Sequence, residues 1–542
     1  VRDRFVAETR GNPLALMELP RTLSAGQLAG GFGLPDAPDA RALTSRIEEG
    51  FRSRLQSLPP EPRLLMLTAA AEPIGDAALL WRAAERLGIG PDAATPAESA
   101  DLIDIGARVR FRHPLIRSAV YGRAPAADRI AAHRALAGAL PAYADRRAWH
   151  LASAAGGFDD DAADEMEAAA LRVDRRGGYA ASAAAHERAA RLTADPLVRG
   201  ERLTAAAMGA RDSAQLDRAA ALALEASALT EDPKTLAKLA WVRARLEFER
   251  GTPRHASEMV LAGAETIYDC DAEEAARMLI EVVRMAYFAD EAPALVRAAE
   301  LIDAVQLPAD HPLRPMLEAS SILAKLQARE PEDQIPPLPP AVRAIRPERL
   351  GMTIGNLAVH SAFLLMVIGD ADEASAQTER MLVEARERGL IGGLPHILLQ
   401  HSQAALVAGH LREALRSANE GVRIAEDTGQ LHSAANLRGI IARITAMTGD
   451  ADTCVALTSE AISIGAERHS SNVGLAVLAL AVLDLGFGRY SPALERLTSL
   501  PRQLRRHPTI AYLSPPEWAE AEDTATNSKA WYRISPTRRG ST

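Results

Sequence analysis

Apolar positions near the start of the chain fall at helical spacing. Ile47, Phe51 and Leu55 make one stripe, punctuated by Pro59, Pro60 and Pro62. Leu64, Leu65 and Leu67 open a second helix, and Asp76 can cap a third that ends near Gly88. Thr95-Pro96-Ala97-Glu98 has the form of a capping box with proline at the first helical position. The fourth helix that it opens stops at Gly106. Arg108-Val109-Arg110-Phe111-Arg112 then alternates polar and apolar residues, which is a strand signal, and another helix follows Pro114. Helices followed by a short β element suggest a winged helix over residues 41–125, with connecting helices over 126–158.

Beyond that point the pattern repeats. A small residue, usually glycine, is followed five positions later by another small residue: Gly177/Ser182, Ala214/Ala219, Gly251/Ala256, Ala289/Ala294, Gly369/Ala374, Gly409/Ala414, Gly449/Cys454 and Gly488/Ala493. First members lie 37, 37, 38, 80, 40, 40 and 39 residues apart, the step of 80 being two periods around a disrupted unit near Ala328. Six of the eight first members are glycine, although glycine is only 36 of 542 residues. Glycine would end one helix in the left-handed conformation, and the small residue would let the next helix pack closely against it. Such pairs resemble tetratricopeptide repeats with a lengthened period, and they must stack because one pair cannot bury its own face. We therefore expect an all-α chain: a winged-helix-like domain followed by a tetratricopeptide-like α-solenoid over 159–510. The competing reading is a non-repetitive alanine-rich bundle. Six prolines between Arg329 and Pro347 predict an extended loop interrupting the solenoid, and residues 511–542 read as an irregular tail.

Composition narrows the chemistry. The chain is 48% hydrophobic and 25% charged, ordinary for a globular protein, and its net charge of −9 argues against a general polyanion binder. Two cysteines cannot build a disulfide framework, and Val1–Arg10 has no apolar signal region, so the chain reads as cytoplasmic with no membrane partner. The four lysines, Lys234, Lys238, Lys325 and Lys529, follow Pro233, Ala237, Ala324 and Ser528, so no P-loop is present. No His-Glu-x-x-His, Cys-x-x-Cys or Gly-x-Ser-x-Gly occurs, and His396 and His401 lie on different sides of a helix. We expect neither a catalytic residue nor a metal site, and no enzyme activity.

Several segments carry a family resemblance: VAETRGNPLALMELP at 6–20, GGFGLPDAPDA at 30–40, AEPIGDAALLWRAAERLGI at 71–89 and FRHPLIRSAVY at 111–121. Together they resemble the middle of large ATP-binding LuxR-type transcriptional regulators, in the STAND class of signalling NTPases. The usual order there is a P-loop domain, a winged helix, a helical-repeat sensor and a C-terminal helix-turn-helix. The resemblance implies that residues 1–40 are the remnant that closes the NTPase module. It implies nucleotide contacts at Gly11, Asn12 and Pro13, a Gly-x-Pro element against adenine, and at His113, which would face the β-phosphate of ADP. ATP or ADP is the cofactor of the intact family, and none is expected on this chain alone. The implied partners are an effector ligand or protein on the solenoid, a second copy in a homo-oligomer, and DNA only through the absent C-terminal domain. The first residue is Val1, which fits a truncated fragment or a GTG start codon. The shift in character past about Asp523 looks like a frameshift or premature end, so a fragment, a frameshifted product and a genuine shortened protein all stay open. Two other readings remain: a stand-alone tetratricopeptide-like scaffold, and DNA binding through a basic wing of Arg108, Arg110 and Arg112.

Overall fold

The structure, a computed structural model, describes residues 55–499 apart from 56, 290, 329–335, 346–355 and 467–470. These residues form two compact units that divide between Ala169 and Ala170.

The first unit begins with α1 (Pro60–Ala71), α2 (Ala77–Arg86) and α3 (Ala94–Ser99), followed by the strands β1 (Ile103–Ile105) and β2 (Val109–Phe111). It continues through α4 (Pro114–Arg123), α5 (Ala126–Gly138), α6 (Asp145–Ala154) and the start of α7 (Asp160–Asp174). Asp76 caps α2 as the sequence predicts, its carboxylate accepting the Leu79 N–H at 3.0 Å. The capping box at Thr95 does not form. A 3₁₀ turn at Pro91–Ala93 leads into α3, which ends at Ser99, well short of Gly106. The Glu98 carboxylate instead accepts the Ile105 N–H at 3.0 Å and so belongs to the hairpin. The strands pair antiparallel with Ile103 opposite Phe111, and a single bridge joins Asp76 to Arg108. Leu65, Met66, Leu80, Leu102, Ile103 and Ile116 are the buried centre of this unit.

In the second unit every described element is a helix. The helices are α8 (Tyr179–Leu192), α9 (Pro196–Asp212), α10 (Leu216–Ser227), α11 (Pro233–Glu249), α12 (Pro253–Ile267), α13 (Ala272–Ala289), α14 (Ala292–Ala304) and α15 (Arg314–Ala328). Then follow α16 (Leu338–Ala344), α17 (Asn356–Val367), α18 (Ala371–Glu387), α19 (Leu394–Val407), α20 (Leu411–Asp427), α21 (Leu431–Thr448), α22 (Ala451–Ala466), α23 (Ser471–Gly486) and α24 (Tyr490–Ser499). Helices adjacent in sequence pack together, giving the stack of pairs that the repeat predicts. Of the eight turn positions read from the sequence, seven are left-handed: Gly177, Ala214, Gly251, Gly369, Gly409, Gly449 and Gly488. Each closes in the same way, the next residue donating to the carbonyl five back, as in Gln215 to Ala210 at 2.7 Å and His410 to Ala405 at 2.8 Å. The small residue five later is buried in every case. In the fourth pair the equivalent bond runs from Glu291 to Ala286, so the turn sits one residue later than the Ala289/Ala294 pair predicts. Gly389 and Gly429 are left-handed as well, so glycines stop successive helices every 20 residues from Gly369 to Gly449.

The proline-rich span differs from expectation. Residues 338–344 form α16, with Pro339 and Pro340 in its first turn. Backbone N–H groups there have no intrahelical partner, so proline removes nothing. Leu338, Ala341 and Val342 are buried in the same cluster as α15, so α16 serves as the second helix of a shortened pair.

Ala214 alone among these turn residues is left-handed with a side chain, at φ 62°. That conformation costs an L-residue about 1–2 kcal/mol. Ala214→Gly should therefore stabilise the chain by about 1 kcal/mol, while Gly409→Ala, where an added Cβ meets nothing within 4 Å, should cost about as much. Urea unfolding of the two variants measures both signs.

Candidate functional site

An open solenoid exposes the inner side of the first helix of each pair. Here one of those helices is buried on every side: all thirteen residues from Leu394 to Leu406 in α19 are buried, polar ones included. Within the second unit the inner helices of early pairs meet those of late pairs. The Gly392 N–H donates to the Asp212 carbonyl at 2.9 Å. A Cβ on residue 392 would stand 2.2 Å from the Arg211 carbonyl oxygen, so only glycine allows this approach. The Ser433 hydroxyl donates to Glu249 at 2.8 Å, and the Phe248 and His432 rings lie 4.4 Å apart.

The interior so enclosed is polar. α11 contributes Arg245 and Glu249 one turn apart, α13 contributes Glu281 and Arg284, α17 His360, α19 His396, Gln400 and Gln403, and α21 His432 and Asn436. Their spacings of three, four or seven residues place each set on one side of its helix. Arg284 holds Glu281 with two hydrogen bonds, at 3.0 and 2.6 Å, and lies over the Phe248 ring at 4.6 Å. Arg245 faces Glu281 at 3.6 Å and Glu249 at 3.8 Å, beyond hydrogen-bond reach. Phe248, Tyr287, Phe288 and Phe363 pack edge to face or tilted around the charged groups. A chain with 4% aromatic residues thus gathers four of them here.

Burial opposes ionisation of Glu281, but the charges of Arg284 and Arg245 outweigh it and hold the carboxyl down at about 2. Burial, then the positive charge of Arg284, pushes His360 and His432 down to about 3, and the same causes push His396 well below its ordinary value. All three imidazoles are therefore neutral at pH 7. Their protons can be placed from the partners. Asn436 Nδ2 donates to the His432 carbonyl at 2.9 Å, which fixes its amide, and also approaches His432 Nε2 at 3.1 Å. His432 Nε2 must then accept, and its proton sits on Nδ1. Arg284 Nη1, which can only donate, faces His396 Nε2 at 3.5 Å, so His396 also carries its proton on Nδ1. Neither Nδ1 has a hydrogen-bond partner, and the same is true of Arg245 Nη1, Glu249 Oε1, Gln400 Oε1 and Gln403 Nε2. Buried polar atoms are nearly always paired, so this cluster stands out.

The residues singled out in the sequence lie elsewhere. Gly11, Asn12 and Pro13 are outside the described residues. His113 stands directly before α4, as predicted, and its carbonyl accepts the Ile116 N–H at 3.0 Å. With Pro114 lacking an N–H and that of Ile116 taken, the helix start offers a phosphate few donors. Arg117 is turned onto the Ala70 carbonyl at 2.9 Å. His396 and His401 point apart, His401 facing Thr378 at 3.0 Å and Glu413 at 3.2 Å. Among the described residues no group of three His, Cys, Asp or Glu could hold a metal ion, and no helix is long and apolar enough to cross a membrane. A second polar chain runs through the first unit: Tyr121 to His133 at 2.7 Å, His133 to His150 at 2.9 Å, and Glu72 between His150 and Arg146.

No family model matches this chain, and no curated protein matches it. Among solved structures it is similar to a STAND protein with a tetratricopeptide repeat sensor from Pyrococcus horikoshii, at 11% identity and a TM-score of 0.39, covering 95% of this chain and 69% of that one. It is also similar to a Rap protein complexed with Competence and Sporulation Factor, at 12% identity and a TM-score of 0.36, covering 67% of this chain and all of that one. The third is the Cut9–Hcn1 assembly of the APC/C, at 13% identity and a TM-score of 0.31, covering 76% and 85%. The pairing of helices rests on the geometry above, not on these distant likenesses.

Acid should destabilise the fold. Unfolded, each of the three interior histidines takes a proton near pH 6.5; folded, His360 and His432 take none until about pH 3. The unfolded chain binds more protons in between, so stability is present above pH 6.5 and is lost as pH falls towards 3, at up to about 1.4 kcal/mol per pH unit for each histidine. Glu281 adds to the loss between its ordinary value of 4.5 and about 2, and His133, held at about 4 by burial and then His150, acts in the same direction. The melting temperature should drop steadily from pH 7.5 to 4.5 in scanning calorimetry, with a shallower slope in His432→Phe.

Proposed function

We propose that this chain is the sensor and relay core of an ATP-dependent LuxR-type transcriptional regulator, its helical repeats receiving an effector. The observation that carries the reading is the closed polar interior of the second unit. A sensor needs an internal place where a small signal changes the balance of packing, and the orphaned polar atoms of α11, α19 and α21 supply one. In this reading the first unit is a winged-helix-like relay over 41–125, supported by its order of three helices and a hairpin with a bridge back to Asp76. Gly11, Asn12, Pro13 and His113 belong to the reading as ancestral nucleotide contacts only. DNA is reached through a C-terminal helix-turn-helix of the intact regulator. The wing itself is a poor candidate, because Arg112 pairs with Asp101 at 3.0 Å and Arg110 sits opposite Asp104.

A stand-alone interaction scaffold would use the same helix pairs. One observation favours it: Leu197 and Leu224, on the adjacent helices α9 and α10, are 56% and 66% exposed, on surface that a protein partner can reach and the interior is not.

Sequencing the transcript across both ends of the reading frame separates the two. An in-frame P-loop upstream together with a helix-turn-helix downstream, in frame or one base out, is the expected result. A transcript that runs only from Val1 to Thr542 would replace the regulator with the scaffold.

A further inference from the structure

We propose that the hydrogen-bond chain Tyr121–His133–His150–Glu72 in the first unit is an acid-responsive switch, in which uptake of one proton reverses the hydrogen bond at Tyr121. The proposal goes beyond the functional reading above and rests on the geometry of this unit alone.

The direction of the chain follows from its Glu72 end. Glu72, His133 and His150 are buried, and Tyr121 is the half-buried end. Burial opposes the charge of Glu72, but the bonds from His150 and the Ile74 N–H, with the charge of Arg146, outweigh it and hold the carboxyl below its ordinary value. An ionised carboxylate only accepts, so His150 Nε2, 3.4 Å away, carries a proton. The Nδ1 atoms of His133 and His150 face each other at 2.9 Å, which leaves room for one proton between them. In the neutral pair these two positions hold both ring protons. His133 Nε2 is then bare and accepts the Tyr121 O–H at 2.7 Å.

A third ring proton has one place to go, His133 Nε2, whichever ring is assigned the positive charge. Once it is there His133 donates, and the Tyr121 hydroxyl must turn its own proton away and accept. A fourth proton would need the space between the Nδ1 atoms a second time, so it enters only if α5 and α6 part. The charged neighbours are few. Arg146 of α6 bonds Glu72 at 3.2 Å and lies 3.9 Å from Asp76 at the start of α2. Arg117 of α4 bonds the Ala70 carbonyl in α1, Arg129 of α5 lies 6.0 Å from the centre of the Tyr121 ring, and Arg147 of α6 is turned to Glu165 of α7. Burial, then the charges of His150 and Arg129, hold His133 down at about 4, so the third proton is taken up only in acid.

The structural alternative is a static polar network, in which Tyr121 donates at every pH where the unit is folded. In the switch, one proton changes the bond between α4 and α5 and leaves a cation on the histidine pair beside Glu72 at the end of α1. Two arrangements of one fold that differ in proton affinity are what a pH response requires.

The test is a pH titration of the full chain labelled with ¹⁵N-histidine and ¹³Cζ-tyrosine, the signals assigned with His133→Gln, His150→Gln and Tyr121→Phe. At pH 8 His133 should carry its proton on Nδ1 and His150 on Nε2. On acidification His133 Nε2 should gain a proton, and the Tyr121 signal should move with the same midpoint. Glu72→Gln should lower that midpoint by about one pH unit or more, because the charged pair loses its carboxylate. Should Glu72→Gln fail to fold, the tautomers and the shared midpoint in the wild-type chain decide. Reversed tautomers at pH 8, a Tyr121 signal that stays still, an unmoved midpoint in a folded Glu72→Gln, unfolding while the pair is neutral, or both rings cationic in a folded chain each overturns the proposal. A transcript without a P-loop would remove the regulator and leave this switch standing. A fixed Tyr121 signal would remove the switch and leave the regulator standing.

Discussion

Arg284 and Glu281 lie one turn apart on a helix buried on all sides, and the closed interior depends on their pairing. Two charges taken out of water cost several kcal/mol each, recovered only with close geometry. The pair achieves it with two hydrogen bonds and a ring beneath the guanidinium. Removing either partner would leave a bare charge and cost about 3–5 kcal/mol, whereas replacing both with apolar groups could be nearly neutral. The pair therefore explains less about stability than about position. It holds a fixed positive charge where His360, His396 and His432 must stay neutral, and that neutrality fixes which histidine nitrogens donate.

This interior also limits what the solenoid can do. A groove lined by inner helices offers a protein partner a broad concave surface. Where the early and late pairs meet, as at Glu249 and Ser433, that surface is lost and polar groups face one another across it. A macromolecule is left with the outer helices, where large apolar side chains are scattered. A small molecule is left with the inside. The two functional readings are thus tied to opposite sides of the same helices, and one fold need not serve both.

The repeat was legible because it is a backbone requirement. A turn that ends a helix left-handed and starts another calls for glycine and then a small residue, and seven of eight such turns were read in register. Ala214 was found although it breaks the glycine rule, because the spacing held. Ala289 was misplaced by one residue because nothing there fixes the register. The 20-residue spacing from Gly369 to Gly449 was equally visible and would have located both ends of each helix. Pro339 and Pro340 misled because a proline pair breaks a helix interior but not its first turn. Thr95 misled because Pro91 had already started a turn and the hairpin claimed Glu98.

The interior was not legible, and the reason is physical. His, Ser and Gln on the inner side of a helix are what an exposed groove would also carry. Only the meeting of α11 with α21, across 184 residues at Glu249 and Ser433, turns a wet face into a dry one. A faint signal did exist. His-Ser recurs at 360–361, 401–402 and 432–433 within largely apolar helices, whose only charged residues are Arg438 and Arg443. A polar residue on a helix with no solvated side must find partners inside. Such helices, apolar all round yet carrying uncharged polar residues, mark a solenoid that closes on itself.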